Sequence, residues 1–252
     1  MNVARVRNFA ALLVVLLVGW EVLPRAFKMP TYILPPLSAV LTALRAKLPF
    51  LMVQMLPTFY EMVLGFVLAV VIGVVLGLVI GRFAVVRDTI YPLLIIIYSI
   101  PKVALAPIII IWLGFGLPSI LTTIVLISFF PVLVNTMAGV INVPAEAVDL
   151  ARTMTKSRTK EFLRVRLPFS IPYIFAGMKT SMTLAAVGAI FAEFIVGQSG
   201  LGFVILSAQQ NLDVPIIFAS LTLLVILTLA LFGLLIVLER VAMPWKKDFD
   251  VM

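Results

Sequence analysis

Met62–Gly81 reads MVLGFVLAVVIGVVLGLVIG, twenty residues without a charged side chain. A helix rises about 1.5 Å per residue, so about 20 apolar residues cross a hydrocarbon core about 30 Å thick. Val214–Leu238 is a second run of this kind. Hydrophobic residues make up 63% of the chain and charged residues 12%, about half the charge of a soluble domain. These features define an all-α, polytopic membrane protein with about six transmembrane helices. The lipid bilayer is its first partner. The net charge of +8 does not point to nucleic acid, because the basic residues lie in loops beside the bilayer, where inward retention and anionic lipid account for them. With no Cys and no His, disulfides, Cys or His metal sites and Cys–His or Ser–His catalysis are excluded.

Outward from that run the chain divides as follows. Arg5 and Arg7 precede an apolar stretch, Phe9–Leu23, interrupted by Glu21. This is like a signal peptide, but no small-x-small cleavage site follows, so an uncleaved first span starting in the cytoplasm is expected. Residues 24–56 are rich in proline. A short helix is expected over Ser38–Leu48 on the outer surface, with Ser38 as N-cap. The second span is expected over Thr58–Gly81, where Gly73, Gly77 and Gly81 form a small-xxx-small face for close helix packing. Arg82, Arg87 and Asp88 make an inner turn. The third span, Ile90–Leu113, is broken by Pro92, Pro101 and Pro107. Prolines free backbone carbonyls, which are tolerated only in a protein interior or beside a watery cavity, so this span is the first candidate for lining a path. The fourth span is expected over Ser119–Val140 and the fifth over Pro172–Val196. A polar outer loop follows at Gln198–Asp213, then the sixth span at Val214–Leu238, with Trp245, Lys246 and Lys247 at the inner interface. The expected organisation is 1–56 (first helix and outer segment), 57–238 (core of five helices) and 239–252 (cytoplasmic tail).

Pro144–Pro168, PAEAVDLARTMTKSRTKEFLRVRLP, is the long polar interruption. Six of the nineteen Lys and Arg residues lie in it, whereas Val103–Ala145 carries no charge. So cationic a segment between two spans belongs on the cytoplasmic side. Pro144 suits a first helical position. Helices are expected over Ala145–Met154 and Arg158–Leu167, with a break at Thr155–Ser157. On charge alone the stretch reads either as an ordinary inner loop or as a knob that meets a soluble partner. No G-x-x-x-x-G-K-[ST] occurs, so the chain has no P-loop, and ATP-driven work would need another polypeptide to hydrolyse the ATP.

This stretch resembles the EAA loop of type I ABC importer permeases, whose pattern E-A-A-x-x-x-G is followed by L-P. Asp149-Leu150-Ala151 stands at E-A-A, Thr155 at the Gly, and Leu167-Pro168 closes it. Other segments are similar to the branch that includes nitrate, sulfonate, taurine and vitamin-precursor permeases: Leu34–Val40, Ile100-Pro101 with Pro107, Trp112–Gly116, Phe130-Pro131 with Asn135-Thr136, Ala192-Glu193, Gly200-Leu201-Gly202 and Leu238-Glu239-Arg240. The resemblance implies a permease subunit in the bacterial inner membrane, with both termini cytoplasmic, that works with an ABC ATPase subunit, an extracytoplasmic solute-binding protein and a second permease copy. It implies coupling to the ATPase through Glu146, Ala147, Asp149, Leu150, Ala151, Arg152, Thr155, Arg158, Phe162, Leu167 and Pro168. It implies no enzyme activity of its own, and no catalytic residue, metal or cofactor is expected. The substrate is either a nitrate-, sulfonate- or taurine-like anion or a pyrimidine- or flavin-type precursor. The alternative function is a secondary transporter or channel without an ATPase, against which the scarcity of buried acids and of an inverted repeat argues.

Candidate path residues are Tyr98, Ser99, Pro101, Lys102, Pro107, Ser128, Asn135 and Glu193. Glu193, ionisable and in the membrane, reads as functional or as a structural hydrogen bond. Lys102 reads as an attractor of anions, as one half of an ion pair or as a residue reaching the headgroups. Tyr98, Ser99, Ser128 and Asn135 line a polar path or bond helix to helix.

Overall fold

The computed structural model describes residues 3–155 and 157–244. Lys156, Trp245, Lys246 and Lys247 lie outside the described residues. Helices α1 (Val3–Ala26), α2 (Leu37–Arg82), α3 (Ala84–Ser99), α4 (Lys102–Leu113), α5 (Leu117–Ile141), α6 (Ala145–Met154), α7 (Arg158–Glu161), α8 (Leu167–Val196), α9 (Leu201–Gln210) and α10 (Val214–Ala242) follow one another, with a π-helical turn at Phe162–Arg166 between α7 and α8. No strand occurs among the described residues, as expected where lipid offers backbone groups no hydrogen bonds. Four helical runs, Leu37–Arg82, Leu117–Ile141, Arg158–Val196 and Val214–Ala242, are long and apolar enough to cross a membrane, and the bent pair α3–α4 makes a fifth when counted as one broken span. The stretch expected as the first span is helical in α1, with Leu12 to Val18 exposed, and is not among the runs just counted.

Two compact units are present, Met1–Thr58 with Ser199–Val225 and Phe59–Gln198 with Ile226–Met252. In the first, three expectations are corrected. Ser38–Leu48 is not a separate helix but the opening of α2, 46 residues long with Pro49 and Pro57 inside it. Ser38 is not its cap either. The Ser38 N–H donates to Glu21 Oε2 at 2.9 Å, and Arg25 holds that carboxylate at 2.6 Å, so a side chain of α1 satisfies the helix start. Trp20 Nε1 donates to Pro35 O at 3.1 Å, and its ring lies 5.4 Å from Phe218. The expected polar loop at 198–213 contains instead the apolar helix α9, with Leu201, Val204, Ile205 and Ala208 buried. Its first free N–H groups are taken by distant side chains. Gly200 N donates to Gln54 Oε1 and Leu201 N to Thr58 Oγ1, both at 2.8 Å. Gly200 sits at φ +104°, a conformation that favours glycine.

The second unit is built around α5. Its small and β-branched residues Ser119, Thr123, Ser128, Val132, Thr136 and Val140 are buried. The glycine face of α2 lies along it. A Cβ placed on Gly65, Gly73, Gly77 or Gly81 would collide with Ile124, Val132, Thr136 or Val140, each 59 positions on. A constant offset means that α2 and α5 run parallel. Gly177 and Gly188 of α8 meet Val132 and Ile124 in the reverse order, so α8 runs antiparallel to both. Span two and span four therefore share one direction and span five opposes them. At Gly77 the hypothetical Cβ would lie 2.6 Å from Thr136 Cβ and 2.7 Å from the Leu133 carbonyl, and that carbonyl is backbone. Gly77→Val is expected to cost about 1–3 kcal/mol or more by overpacking, read as a lower thermal midpoint of the purified protein. An unchanged midpoint would disprove the close contact.

Between α3 and α4 the chain turns by 104°. Of the three prolines, only Pro101 breaks the helix; Pro92 and Pro107 lie inside α3 and α4. Ile100 is extended (φ −68°, ψ 131°), as the residue before proline prefers.

Candidate coupling site and translocation path

The polar stretch folds as a helix, a break and a second helix. Helix α6 ends at Met154, and Thr155 is extended (φ −145°, ψ 128°). A β-branched residue adopts this conformation readily, so the break forms here without the glycine of the family pattern. Ser157 caps α7, its side chain accepting from Lys160 N at 3.4 Å. The helical run then continues through the π turn into α8, with Pro168 in its first turn.

Glu161 fixes the two halves together. It is 5% exposed and accepts from Arg166 Nε at 3.0 Å and from Arg152 Nε at 3.3 Å. Arg166 also donates to Val140 O at 3.1 Å, at the end of α5. One carboxylate thus ties α6, α7 and α8 to the bundle. Burial pushes the Glu161 carboxyl up, but the hydrogen bonds and charges of Arg166 and Arg152 outweigh burial and hold it below its ordinary value. The resulting stability is complete above the ordinary glutamate value, about 4.3, and fades as pH falls through the lower value in the fold. The clamp is therefore insensitive to pH in the neutral range. Arg82, at the end of α2, lies 4.9 Å from the Phe162 ring and donates to Thr159 Oγ1 at 3.1 Å.

The expected coupling residues separate into two groups. Ala151 and Phe162 are buried, as are Glu161 and Val148 outside the expected set, and these position the knob. Glu146, Asp149, Leu150, Arg152 and Arg158 are exposed and Ala147 is half-buried. Leu150 is 63% exposed and Met154 80%. With Glu146 they stand four residues apart on one face of α6. Met154 was not singled out in the sequence; its spacing from Leu150 is the signal. Leu167 is half-buried and Pro168 exposed at the join with α8.

Of the expected path residues, the structure brings Tyr98 and Lys102 together at the α3–α4 break. The Tyr98 ring stacks on Phe130 of α5 at 4.0 Å between centroids and 13° between planes. The Lys102 ammonium lies 3.4 Å from the Tyr98 centroid and donates to the Tyr98 carbonyl. Pro101 and Ser99 are exposed beside them, and Ser99 Oγ donates to Ile95 O at 2.8 Å. Pro107 is exposed on α4. Ser128 is fully buried and donates to Ile124 O at 2.6 Å. Asn135 donates to Pro131 O at 2.8 Å and sits against Gly177 of α8, so its amide serves its own helix. Glu193 is fully buried and Glu61 8% exposed, and the two carboxyls lie close enough to interact electrostatically. Among the described residues no group of three or more acids could hold a metal.

These features define a helical membrane subunit with a rigid polar knob between two of its long helices. Residues 69–242 match the family described as binding-protein-dependent transport system inner membrane component, and the chain belongs to that family. It is 37% identical over 155 residues to the riboflavin transport system permease protein RibX of Chloroflexus aurantiacus, covering 62% of this chain and 58% of that protein. It is 30% identical over 233 residues to the formylaminopyrimidine transport permease protein ThiX of Halalkalibacterium halodurans, covering 92% and 93%. It is 27% identical over 191 residues to the aliphatic sulfonates permease protein SsuC of Bacillus subtilis, covering 76% and 69%. The protein is accordingly an all-α membrane permease subunit of an ABC importer and not itself an enzyme; the family implies an ATPase and a binding protein as partners.

Proposed function

We propose that this subunit imports a planar heterocycle of the pyrimidine or flavin type, delivered by an extracytoplasmic binding protein, across the bacterial inner membrane. Two copies form one pathway, and each is driven by an ATPase docked on α6. The observation that carries the coupling role is the face Glu146–Leu150–Met154, apolar at its centre and exposed on a helix whose opposite side is locked down through Arg152, Glu161 and Arg166. An exposed apolar pair on an otherwise charged knob marks a partner surface. The alternative, transport without an ATPase, has no such use for this face.

The substrate class rests on Tyr98 and Phe130. Stacked rings beside a broken helix offer a π surface to a planar ring, and relatives named for riboflavin and formylaminopyrimidine share 37% and 30% of aligned residues. Lys102 is already committed to Tyr98, which weighs against a nitrate- or sulfonate-like anion held by that ammonium. In proteoliposomes holding the permease, its ATPase and its binding protein, Phe130→Leu is expected to reduce uptake of the heterocycle at least tenfold while ATP-driven closure remains. Uptake equal to wild type would rule out the aromatic contact.

The core of five helices is assigned to 57–238, with α1 as an additional crossing and both termini cytoplasmic. The parallel run of α2 and α5 and the opposed run of α8 support the alternation. A reporter active only outside the cytoplasm, fused after Met252, should stay silent; a signal would refute the orientation.

A further inference from the structure

Beneath the knob the second unit contains a cavity of about 300 Å³. Five guanidiniums line it, those of Arg82, Arg87, Arg152, Arg158 and Arg166, against one carboxylate, Glu161. The family reading makes no use of this cavity. It draws on three parts of the chain: the end of α2 and start of α3, the end of α6, and α7 with the π turn.

The charges do not cancel inside the cavity. Glu161 is shared by Arg152 and Arg166. Arg152 also approaches Asp149 at 3.7 Å and Arg87 approaches Asp88 at 3.4 Å, but both acids are more than 70% exposed and screened by water. Arg82 has Thr159 Oγ1 and two aromatic rings as partners, and no acid among the described residues. Arg158 has no ion pair among the described residues. Five guanidiniums minus three carboxylates still leaves two unbalanced charges. Guanidinium forks match the oxygens of a phosphoryl group, which can accept several N–H donors at once.

The level of the cavity narrows the source. Arg82 is the last residue of the second span's helix, and Arg166 lies one residue before Leu167-Pro168, where α8 begins. These positions are where the chain meets the inner headgroup region, and basic pockets between spans on that side take anionic headgroups.

We infer that this arginine cavity is a phosphoryl-anion site, filled by the phosphodiester of an anionic phospholipid of the inner leaflet or by free phosphate. Bound there, the anion bridges α2–α3 to the knob and balances Arg82 and Arg158, so the knob is braced by the membrane as well as by Glu161. The inference stands apart from the docking face, because Glu146, Leu150 and Met154 do not line the cavity, although Arg152 of the same helix does.

The full chain, purified without its ATPase in a neutral detergent, is titrated with phosphatidylglycerol, with phosphatidylcholine and with inorganic phosphate, and its thermal midpoint is recorded. A rise with phosphatidylglycerol alone assigns the headgroup; a rise with phosphate as well, or with phosphate alone, assigns the free anion. Arg87→Gln touches only the exposed Asp88 pair and should leave the ligand-free midpoint unchanged, while the half-saturating ligand concentration rises about fivefold. Arg82→Gln should add a similar factor; if it fails to fold, Arg82→Lys keeps the charge, removes the fork and should still weaken binding. No rise with any of the three, equal rises with phosphatidylcholine and phosphatidylglycerol, or an unshifted titration in Arg87→Gln would overturn the site. Because no ATPase is present, failure here leaves the docking assignment untouched, and loss of docking in the Leu150 and Met154 variants leaves this site intact.

Discussion

With Leu150 and Met154 both replaced by glutamate, the permease should no longer retain its ATPase on purification, and substrate uptake should fall to background. Both side chains are largely exposed, so the free fold loses almost nothing, within about 0.5 kcal/mol for surface changes. Their loss acts on the complex. Apolar anchors at the centre of an interface are worth about 2 kcal/mol each, and each 1.4 kcal/mol is about tenfold in affinity. Two anchors together give about a thousandfold weaker docking. The added carboxylates deepen the loss, since they would have to be desolvated without partners. Thermal midpoint and detergent profile serve as controls for folding. Retention of the ATPase at wild-type levels would show that α6 is not the docking face.

The second large effect is expected from Glu161→Ala, and it should look different. Removing this carboxylate leaves Arg166, 24% exposed in its side chain, and Arg152, 56% exposed, without their shared acceptor. Breaking a fully buried pair costs about 3–5 kcal/mol; with Arg152 this open to solvent, about 2–3 kcal/mol is the reasonable expectation. The cost falls on the joint between α6 and α8 rather than on the docking face. The variant should still bind ATPase through Leu150 and Met154, yet hydrolysis should continue while uptake drops, because movement at α6 is no longer passed to α8. Glu161→Gln keeps the shape and one acceptor oxygen and should sit between the two. Coupled, wild-type uptake by Glu161→Ala would remove the clamp from the mechanism.

Much of this was legible in the residues. Pro144, the helix formers after it and the polar Thr155–Ser157 step place α6 and the break where the structure has them. The glycine spacing of α2 announces a close helix contact, and α5 supplies it at Val132, Thr136 and Val140. What was hidden depends on contacts between distant parts of the chain. Pro49 and Pro57 read as punctuation, yet α2 runs through both; a lost backbone bond is tolerable when neighbours or side chains take the freed carbonyl. Helix α9 lies in a stretch whose glycines and amides read as loop, and its cap donors find Gln54 and Thr58, some 140 positions earlier. Arg152 reads as a docking charge, but its guanidinium turns inward to Glu161. Glu193 meets Glu61 from another helix, a pairing that no local pattern encodes.

The chain has no cysteine, so Met154→Cys introduces its sole thiol. In membranes holding the assembled importer, a short thiol-to-amine crosslinker should join residue 154 to the ATPase subunit, and the yield should change when ATP is added. A thiol at Leu64, exposed on the membrane-embedded part of α2, should give no such product. Equal labelling of both positions, or no ATPase adduct at 154 in a complex that transports, would contradict the claim that this knob is where the motor takes hold.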